Sequence, residues 1–254
     1  MGFCNSVKAQ KGLELGFGVG TSHFFGDVNS SFKIKHFGLS AGIIGRYNFN
    51  ERVCLKFSGN WANINGSDED SKNTFEKARN LSFKSMLIDG AGQFEFNFLP
   101  YIHGSKDQFL TPYIFMGFGV VNFNPKAFYN NSWVELRDLG TEGQFRGEEY
   151  YSTVGTFVYG GGLKMDINYE WSLNLELGMR YAFTDYLDDV STVYADKQDL
   201  ESLRGALAVE LSDRSIEKIG IPGFQRGTSK GNDSYGILQL GIVYYFGNIR
   251  CPDF

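Results

Sequence analysis

Long apolar runs are absent from this sequence. No stretch approaches the roughly 18 consecutive apolar residues that a membrane-spanning helix needs, and the mean hydropathy is -0.25. An excess of positive charge is absent too: the net charge is -5, whereas nucleic-acid binding selects for basic faces. Helical spans are therefore excluded, and no nucleic-acid partner is expected. A transmembrane β-barrel stays open, because every second residue of its strands faces the lumen.

Proline and cysteine are scarce as well. Five prolines stand against 32 glycines and an aromatic content of 16%, a balance that favours β-structure because aromatic residues are enriched in strands and proline is depleted. The three cysteines, Cys4, Cys54 and Cys251, have none of the close spacings that a zinc or redox site requires. The composition thus indicates a β-rich chain with no sequence sign of such a site.

Alternation of apolar and polar side chains recurs eight times along the chain. The clearest case is 171–184, where Trp171, Leu173 and Leu175 alternate with polar or small residues. Successive side chains of a strand point to opposite faces, so each segment predicts a strand with one apolar face. The segment at 110–123 is apolar on both parities, which leaves its facing open. The eight predicted strands span about 13–25, 36–49, 52–64, 81–98, 110–123, 152–167, 171–184 and 234–246.

Charged residues in these segments share one parity with glycine and serine, and bulky residues share the other. In a soluble barrel the bulky face would be the core and the charges would face water. In a membrane barrel the bulky face meets lipid, and the narrow lumen of eight strands holds small residues and paired charges. The second arrangement fits better, so these luminal charges are predicted to pair: Glu14, Arg46, Lys56, Asp89, Glu95, Lys164, Asp166, Glu176 and Arg180.

Short and long connections alternate between the predicted strands. "NFNER" and "INYEW" are short and "PYIHGSKDQ" is moderate, whereas the long connections span 26–35, 65–80, 124–151 and 185–233. This is the outer-membrane pattern of short periplasmic turns and long extracellular loops. The sequence therefore predicts an all-β fold: an eight-stranded antiparallel transmembrane β-barrel in the outer membrane, with both termini in the periplasm.

Both ends of the chain are predicted to lie outside this barrel. "VKA" at 7–9 matches the small-residue pattern at the end of a signal peptide, so the mature chain is expected to begin at Gln10. A disordered leader is the alternative. The predicted segments are a signal-peptide remnant at 1–9, a barrel domain at 10–246 and a periplasmic tail at 247–254.

The last predicted strand ends in "QLGIVYYF". Its order of polar, glycine, apolar and aromatic positions matches the signal by which outer-membrane barrels are recognised for insertion, with Gln239, Gly241, Tyr244 and Phe246 in the signal positions. The physical basis is an exposed strand edge, whose backbone groups another sheet can pair with.

Three clustered carboxylates, Asp185, Asp188 and Asp189, have the chemistry of a calcium site. The simpler interpretation is that these aspartates cap turns by accepting backbone hydrogen bonds.

Two histidines raise the question of catalysis. His23 and His36 fall near the ends of the first two predicted strands, close to Ser22 and Asp27. A Ser-His-Asp triad needs a specific hydrogen-bonded geometry, and interfacial histidines are far commoner. The sequence therefore predicts no enzyme and no cofactor.

Five stretches resemble the PorG family, barrels of the type IX secretion system in Bacteroidota. The resemblance runs from about residue 13 to the end. It implies an outer-membrane component associated with the periplasmic ring of PorK and PorN, in a machine that secretes proteins and in some members supports gliding motility. From the residues alone, the alternative is a generic small barrel for adhesion or surface ligand binding. The stretches are "RYNFN" at 46–50, "RNLSFKS" at 79–85, "FNPKAFY" at 123–129, "LGTEGQ" at 139–144 and "FTDYLDDVS" at 183–191.

The resemblance also implies that the barrel anchors the ring through its periplasmic turns and tail. The tail reads "GNIRCPDF", and Cys251 has two alternatives: a bond to Cys54, or an intermolecular disulfide to a ring subunit, which is favoured because an unpartnered cysteine in an exported protein suggests intermolecular pairing. Contact candidates, chosen only by their predicted side of the membrane, are Glu51, Arg52, Tyr101, His103, Lys106, Tyr169 and Glu170.

Overall fold

The computed structural model describes residues 12–29, 34–229 and 231–247. The predicted signal-peptide remnant and all of the predicted tail except Gly247 lie outside these residues. Within them the chain forms nine strands: β1 (Gly12–Phe25), β2 (Gly38–Asn48), β3 (Val53–Ser67), β4 (Ser82–Asn97), β5 (Leu110–Tyr129), β6 (Ser132–Glu135), β7 (Thr153–Asp166), β8 (Trp171–Ala182) and β9 (Ser234–Phe246).

Eight of these strands close into a barrel. Neighbours pair antiparallel in the order β4-β3-β2-β1-β9-β8-β7-β5, and β4 also pairs with β5. Closure leaves no barrel strand with a free edge, which removes the main route by which sheets associate wrongly. The predicted eight-stranded antiparallel barrel is confirmed.

The ninth strand, β6, stands outside the ring and forms a hairpin with the end of β5. Asn130 and Asn131 make the turn, with φ of 45° and 65°. A two-residue hairpin turn of this kind needs positive φ at both central residues, and asparagine tolerates that conformation. The hairpin extends β5 to Tyr129, six residues beyond the predicted end at 123.

The outer face of the barrel is apolar and the inner face is polar. On β5, whose facing the sequence left open, Ile114, Met116 and Phe118 are exposed, whereas Tyr113 and Phe115 are buried. An apolar exterior around a charged interior inverts the arrangement of a soluble protein, and it is the arrangement that a barrel in lipid requires.

The exposed apolar belt is about as tall as the hydrocarbon core of a bilayer. The belt begins at Phe98, the residue after β4, and runs along β4 through Phe96 and Phe94 to Ile88. About ten residues at a rise of roughly 3.3 Å, tilted by about 40°, span roughly 25 Å. We call the end with short connections the turn side and the end with long connections the loop side.

Three short helices lie in the loop-side connections: α1 (Thr74–Arg79), α2 (Lys197–Arg204) and α3 (Ala206–Ser212). In the described part of the chain, no helix has both the length and the apolar character to cross a membrane. Asn73 and Asp196 cap α1 and α2 by accepting hydrogen bonds from backbone N–H groups of the first turn.

Candidate functional site

A network of ion pairs fills the lumen. Arg46 on β2 joins two strands: its Nη1 lies 2.6 Å from Glu14 Oε2 on β1, and its Nε lies 3.0 Å from Glu95 Oε1 on β4. Lys56 on β3 lies 2.6 Å from Glu176 Oε2, across the barrel on β8. All five side chains are buried. All five positions share the lumen parity, and strand register places Arg46 directly opposite Glu14.

Glu95 is the hub of this network. Its carboxylate accepts hydrogen bonds from Arg46 and Lys164, and one oxygen lies 3.9 Å from Lys56 Nζ. A carboxylate among three buried cations offsets their desolvation. Removing one partner of a buried pair costs about 3–5 kcal/mol, because the remaining charge is left uncompensated. Glu95 is therefore the luminal residue with the largest expected effect on stability.

A second pair lies nearer the loop side. Arg180 Nε lies 3.0 Å from Asp89 Oδ2, and the hydroxyl of Tyr235 donates to the same carboxylate at 3.1 Å. Asn60 donates to the other oxygen of Asp89 at 2.7 Å. The charges therefore extend along the lumen as two groups rather than as a single ring.

Aromatic side chains fill the space between the charges. The ring centroid of Phe115 lies 3.6 Å from Lys56 Nζ, and the hydroxyl of Tyr113 donates to Glu176 at 2.7 Å. Lys56 is 0% exposed and Lys164 is 2% exposed. Side chains therefore fill the lumen at this level of the barrel.

The turn between β4 and β5 folds back into the turn side of the barrel as a plug. His103 Nε2 lies 3.2 Å from Glu14 Oε1, and its Nδ1 lies 3.0 Å from Asp166 Oδ1. Its ring stacks on Tyr245 at 4.2 Å, and the hydroxyl of Tyr101 donates to Asp166. Burial opposes a charge on His103, but the hydrogen bonds to Asp166 and Glu14 outweigh it and raise its pKa to about 9.

This plug corrects part of the predicted contact surface. Tyr101 and His103 are buried, so the prediction that they are available to a partner is wrong. Both residues do lie on the turn side, but luminal carboxylates hold them inside the barrel. Of the other candidates, Glu51 is half-buried, and the exposed ones are Arg52, Lys106, Tyr169 and Glu170.

The described parts of the four long connections form one unit over the loop side, which we call the loop cap (residues 26–29, 34–37, 68–81, 130–152, 183–229 and 231–233). The buried Arg79 ties three of them together. It donates to both carboxylate oxygens of Asp68, each at 2.8 Å, and to the carbonyl oxygens of Asp27 at 2.8 Å and Arg226 at 2.6 Å. Such a bidentate pair fixes geometry as well as charge.

Arg226 ties in the remaining connection. Its Nη1 lies 3.0 Å from Glu142 Oε1 and donates to the carbonyl oxygen of Asp189 at 2.6 Å, and its Nε donates to the carbonyl oxygen of Ser212 at 3.1 Å. Sequence reasoning missed both arginines. Arg79 ends a six-residue helix and Arg226 lies in an irregular segment, so no side-chain period in the sequence marks either position.

The aspartates considered for calcium contact different partners. Asp188 accepts hydrogen bonds from two backbone N–H groups, whereas Asp189 accepts from the hydroxyls of Thr141 and Tyr150. Among the described residues, no three metal-ligating side chains come together. Asp188 and Asp189 therefore act as acceptors that hold the cap, and the calcium alternative for Asp185, Asp188 and Asp189 stays a prediction.

Burial raises the pKa of cap carboxyl groups. With the nearby charges of Asp27 and Glu142, it raises the pKa of Asp185 to about 7. Burial also raises the pKa of Asp189 to about 6, although Arg226 opposes this shift. These two groups therefore take up protons at a higher pH than ordinary aspartates do.

The residues considered for catalysis do not form a triad. Ser22 donates to a backbone carbonyl, and Asp27 accepts from a backbone N–H in another connection. The ring of His23 packs edge-on against neighbouring aromatic rings, whereas His36 Nε2 lies 3.3 Å from Asp70. Each side chain has a local structural partner, so the geometry needed for acyl transfer is not assembled here.

The predicted insertion signal lies on both faces of β9. Gln239 and Gly241 face the lumen, whereas Tyr244 and Phe246 face outward at the turn-side rim with ring centroids 4.6 Å apart. β9 pairs with β1 and with β8. The edge that recognition would use is therefore present only before the barrel closes.

Cys54 is a free, buried thiol in the lumen, and its Sγ donates to Asn48 Oδ1 at 2.8 Å. Cys251 lies outside the described residues, so both predicted alternatives for it stay predictions.

One family matches the sequence over most of its length: residues 2–210 match DUF6089, a domain of unknown function. No curated protein matches the chain.

Several solved structures are similar to the chain at low identity. Neisserial surface protein A (NspA) is 9% identical over 92% of this chain and 97% of its own, with a TM-score of 0.47. Ail of Yersinia pestis, in complex with the heparin analogue sucrose octasulfate, is 11% identical over 93% and 99%, with a TM-score of 0.43. OprG from Pseudomonas aeruginosa is 8% identical over 96% and 100%, with a TM-score of 0.45.

Proposed function

The chain belongs to the DUF6089 family, and from its own geometry we propose that it is a non-enzymatic outer-membrane barrel that anchors a type IX secretion apparatus. The observation that carries this proposal is the filled lumen, in which Glu95 binds cations from β2 and β7 and His103 plugs the turn side. A barrel whose lumen is filled by paired side chains is suited to be a fixed part of an assembly. The loop stretches that resemble PorG supply the identity of the apparatus.

In this proposal the turn side faces the periplasm and contacts ring subunits similar to PorK and PorN. The exposed residues Arg52, Lys106, Tyr169 and Glu170 offer mixed charge and one aromatic ring. Tyr169 is held in place against Gly104, since a Cβ on that glycine would lie 2.3 Å from the tyrosine ring. An exposed aromatic side chain in a fixed position is typical of residues that dominate binding energy at interfaces.

The test is co-isolation of ring subunits with tagged barrel from intact envelopes. We expect Tyr169→Ala combined with Arg52→Glu to reduce co-isolation by about tenfold or more, which corresponds to about 1.4 kcal/mol. The matched control is Tyr151→Ala combined with Lys218→Glu, which changes exposed residues of the loop cap. Equal recovery of ring subunits with both variants would contradict the proposed contact surface. Absence of ring subunits from crosslinks to the wild-type barrel would refute the anchor itself.

The tail offers a second test of the same role. If Cys251 links the barrel to a ring subunit, Cys251→Ser removes a high-mass band from non-reducing gels, whereas Cys54→Ser leaves that band in place. An unchanged band pattern for Cys251→Ser would eliminate the intermolecular disulfide.

A second candidate function, surface binding or adhesion, is favoured by the loop cap. Arginine ties hold this cap together, and it exposes the aromatic side chains of Phe145, Tyr151 and Phe224. Grafting the four long connections onto an unrelated eight-stranded barrel separates the candidates. An anchor loses ring co-isolation in the graft, whereas a surface-binding protein transfers its binding with the loops.

A further inference from the structure

A cavity of about 260 Å³ opens on the outer wall of the barrel, just beyond the apolar belt on the loop side. Its strand residues have the lipid-facing parity, so it is entered from the membrane surface and not from the lumen. We call it the flank cavity, and its walls are Asn63, Lys84, Met86, Asn124, Lys126 and Trp133.

Two lysines stand side by side in this cavity. Lys84 on β4 and Lys126 on β5 are register partners, and the Cβ atoms of such partners lie about 5 Å apart, where like charges destabilise a sheet. Glu135 on β6 offsets part of this repulsion, because its Oε1 lies 2.7 Å from Lys126 Nζ. Lys84 Nζ lies 5.7 Å from the ring centroid of Trp133. Two lysines and one carboxylate therefore give the cavity a net positive charge.

The height of the cavity matches the headgroup layer of a membrane. Outward positions on β4 run from the exposed Ile88 through Met86 to Lys84. Each outward step of two residues rises about 5 Å along a tilted strand, and headgroups occupy the layer directly outside the hydrocarbon core. Lysine side chains at this level extend their ammonium groups toward that layer while their stems stay on apolar surface.

We propose that the flank cavity binds the phosphate-bearing headgroup of a lipid in the loop-side leaflet. The ammonium groups of Lys84 and Lys126 hold the phosphate, and Met86 and Trp133 contact the apolar part of the lipid next to it. Basic pockets at the membrane surface select phosphorylated headgroups by this pairing of charges. The inference rests on the proposed function only in taking the loop side as the outer leaflet.

The test is lipid retention by the purified full chain, read by native mass spectrometry. The probe is phosphatidic acid, whose headgroup is a phosphate monoester, with neutral phosphatidylcholine as the comparison lipid. We expect wild type to retain phosphatidic acid in preference, and Lys84→Gln with Lys126→Gln to weaken retention about tenfold or more, since each lysine near anionic lipid contributes about 1 kcal/mol. The matched control, Lys72→Gln with Lys77→Gln, removes two exposed loop-cap lysines and leaves retention unchanged.

Glu135→Gln gives a second, opposite readout. Removing this carboxylate frees Lys126, so retention of phosphatidic acid strengthens by about fivefold if the cavity holds an anion. All three side chains are at least partly exposed on the outer surface, and heat-dependent gel mobility checks that each variant is folded.

Equal retention by wild type and the double lysine variant would overturn the inference. Displacement of the lipid by an equal concentration of inorganic phosphate would overturn it as well, because the cavity would then be a site for free anions. Neither measurement involves ring subunits. Loss of ring co-isolation with lipid retention intact would therefore refute the proposed function and leave the lipid site standing.

Discussion

The lumen and the loop cap both bury arginines, but they bind them in different ways. In the lumen, Arg46 pairs with carboxylates on nearby strands, and its bonds to Glu14 and Glu95 follow from strand register. In the cap, Arg79 also donates to a carbonyl oxygen of another connection, and Arg226 donates to a carbonyl oxygen of its own connection. The first arrangement depends on the sheet, and the second depends on loops that already sit on the sheet. The difference teaches that luminal charges set the stability of the barrel, whereas cap arginines set the order of its loops.

The largest effect is expected for Glu95→Gln. The amide cannot neutralise Arg46 and Lys164, which both contact this carboxylate inside the barrel. We expect the free energy of unfolding to fall by about 3–5 kcal/mol, measured by urea titration in detergent micelles with tryptophan fluorescence.

The control for that prediction is Glu170→Gln, in an exposed turn, which should change the unfolding free energy by less than about 0.5 kcal/mol. Similar losses for the two variants would show that luminal charge pairing does not stabilise the barrel.

A smaller and local effect is expected for Arg226→Met. This change removes the hydrogen bonds to Glu142, Asp189 and Ser212, all of which lie in the cap and none of which reaches a barrel strand. We expect proteases to cleave within 183–233 and amide exchange to rise across the cap, while the urea midpoint of the barrel stays unchanged.

Lys218→Met alters an exposed cap residue and serves as the control, with no new cleavage expected. A large fall in the barrel's urea midpoint for Arg226→Met would instead show that the cap and the barrel unfold as one unit.

The smallest effect is a difference in pH dependence between the two ends. The folded pKa values of Asp185 and Asp189, about 7 and about 6, lie above the unfolded value of about 3.9, so folding favours their protonated forms. The contribution of these two groups to cap stability is therefore complete below about pH 4 and is lost as pH rises through 6 to 7. His103 has a folded pKa of about 9, so the stability it gives the plug is complete below about pH 6.5 and is lost as pH rises through 9.

Amide hydrogen exchange, corrected for its intrinsic pH dependence, resolves the two ends. Between pH 5 and 8 we expect protection to decrease in the cap while residues 98–109 keep theirs. His103→Gln removes the transition near pH 9, and Asp185→Asn removes part of the lower one. A single transition shared by both ends would contradict the separation of cap and plug.

Strand parity was sufficient to predict the lumen. Arg46, Lys56 and Glu176 share one face of long alternating strands, and such a face has room only for small or paired side chains. The sequence therefore predicted the barrel, its strand count and most of its buried charges. The sequence did not identify which luminal charges pair with each other. Lys56 contacts Glu176 across the barrel, and parity does not specify which facing strands bring charges into contact.

Turns and loops were predicted less well, for physical reasons that differ between them. His103 and Tyr101 were assigned to the correct side, but luminal carboxylates draw them inside. Arg79 is the last residue of a six-residue helix and Arg226 lies in an irregular segment, so neither position belongs to a pattern long enough to show a period. The hairpin at Asn130 and Asn131 did have a signal, since two consecutive asparagines between apolar residues favour a tight turn with positive φ.

The pairing of β1 with β9 joins the beginning of the described chain to its end. The barrel cannot close until the segment from Gln239 to Phe246 has been synthesised. Every earlier intermediate keeps two strand edges with unpaired backbone groups. Loss of the last strand would strip partners from both β1 and β8 at once. A chain that terminates before β9 therefore has no smaller stable barrel to form, and we expect the cell to degrade it.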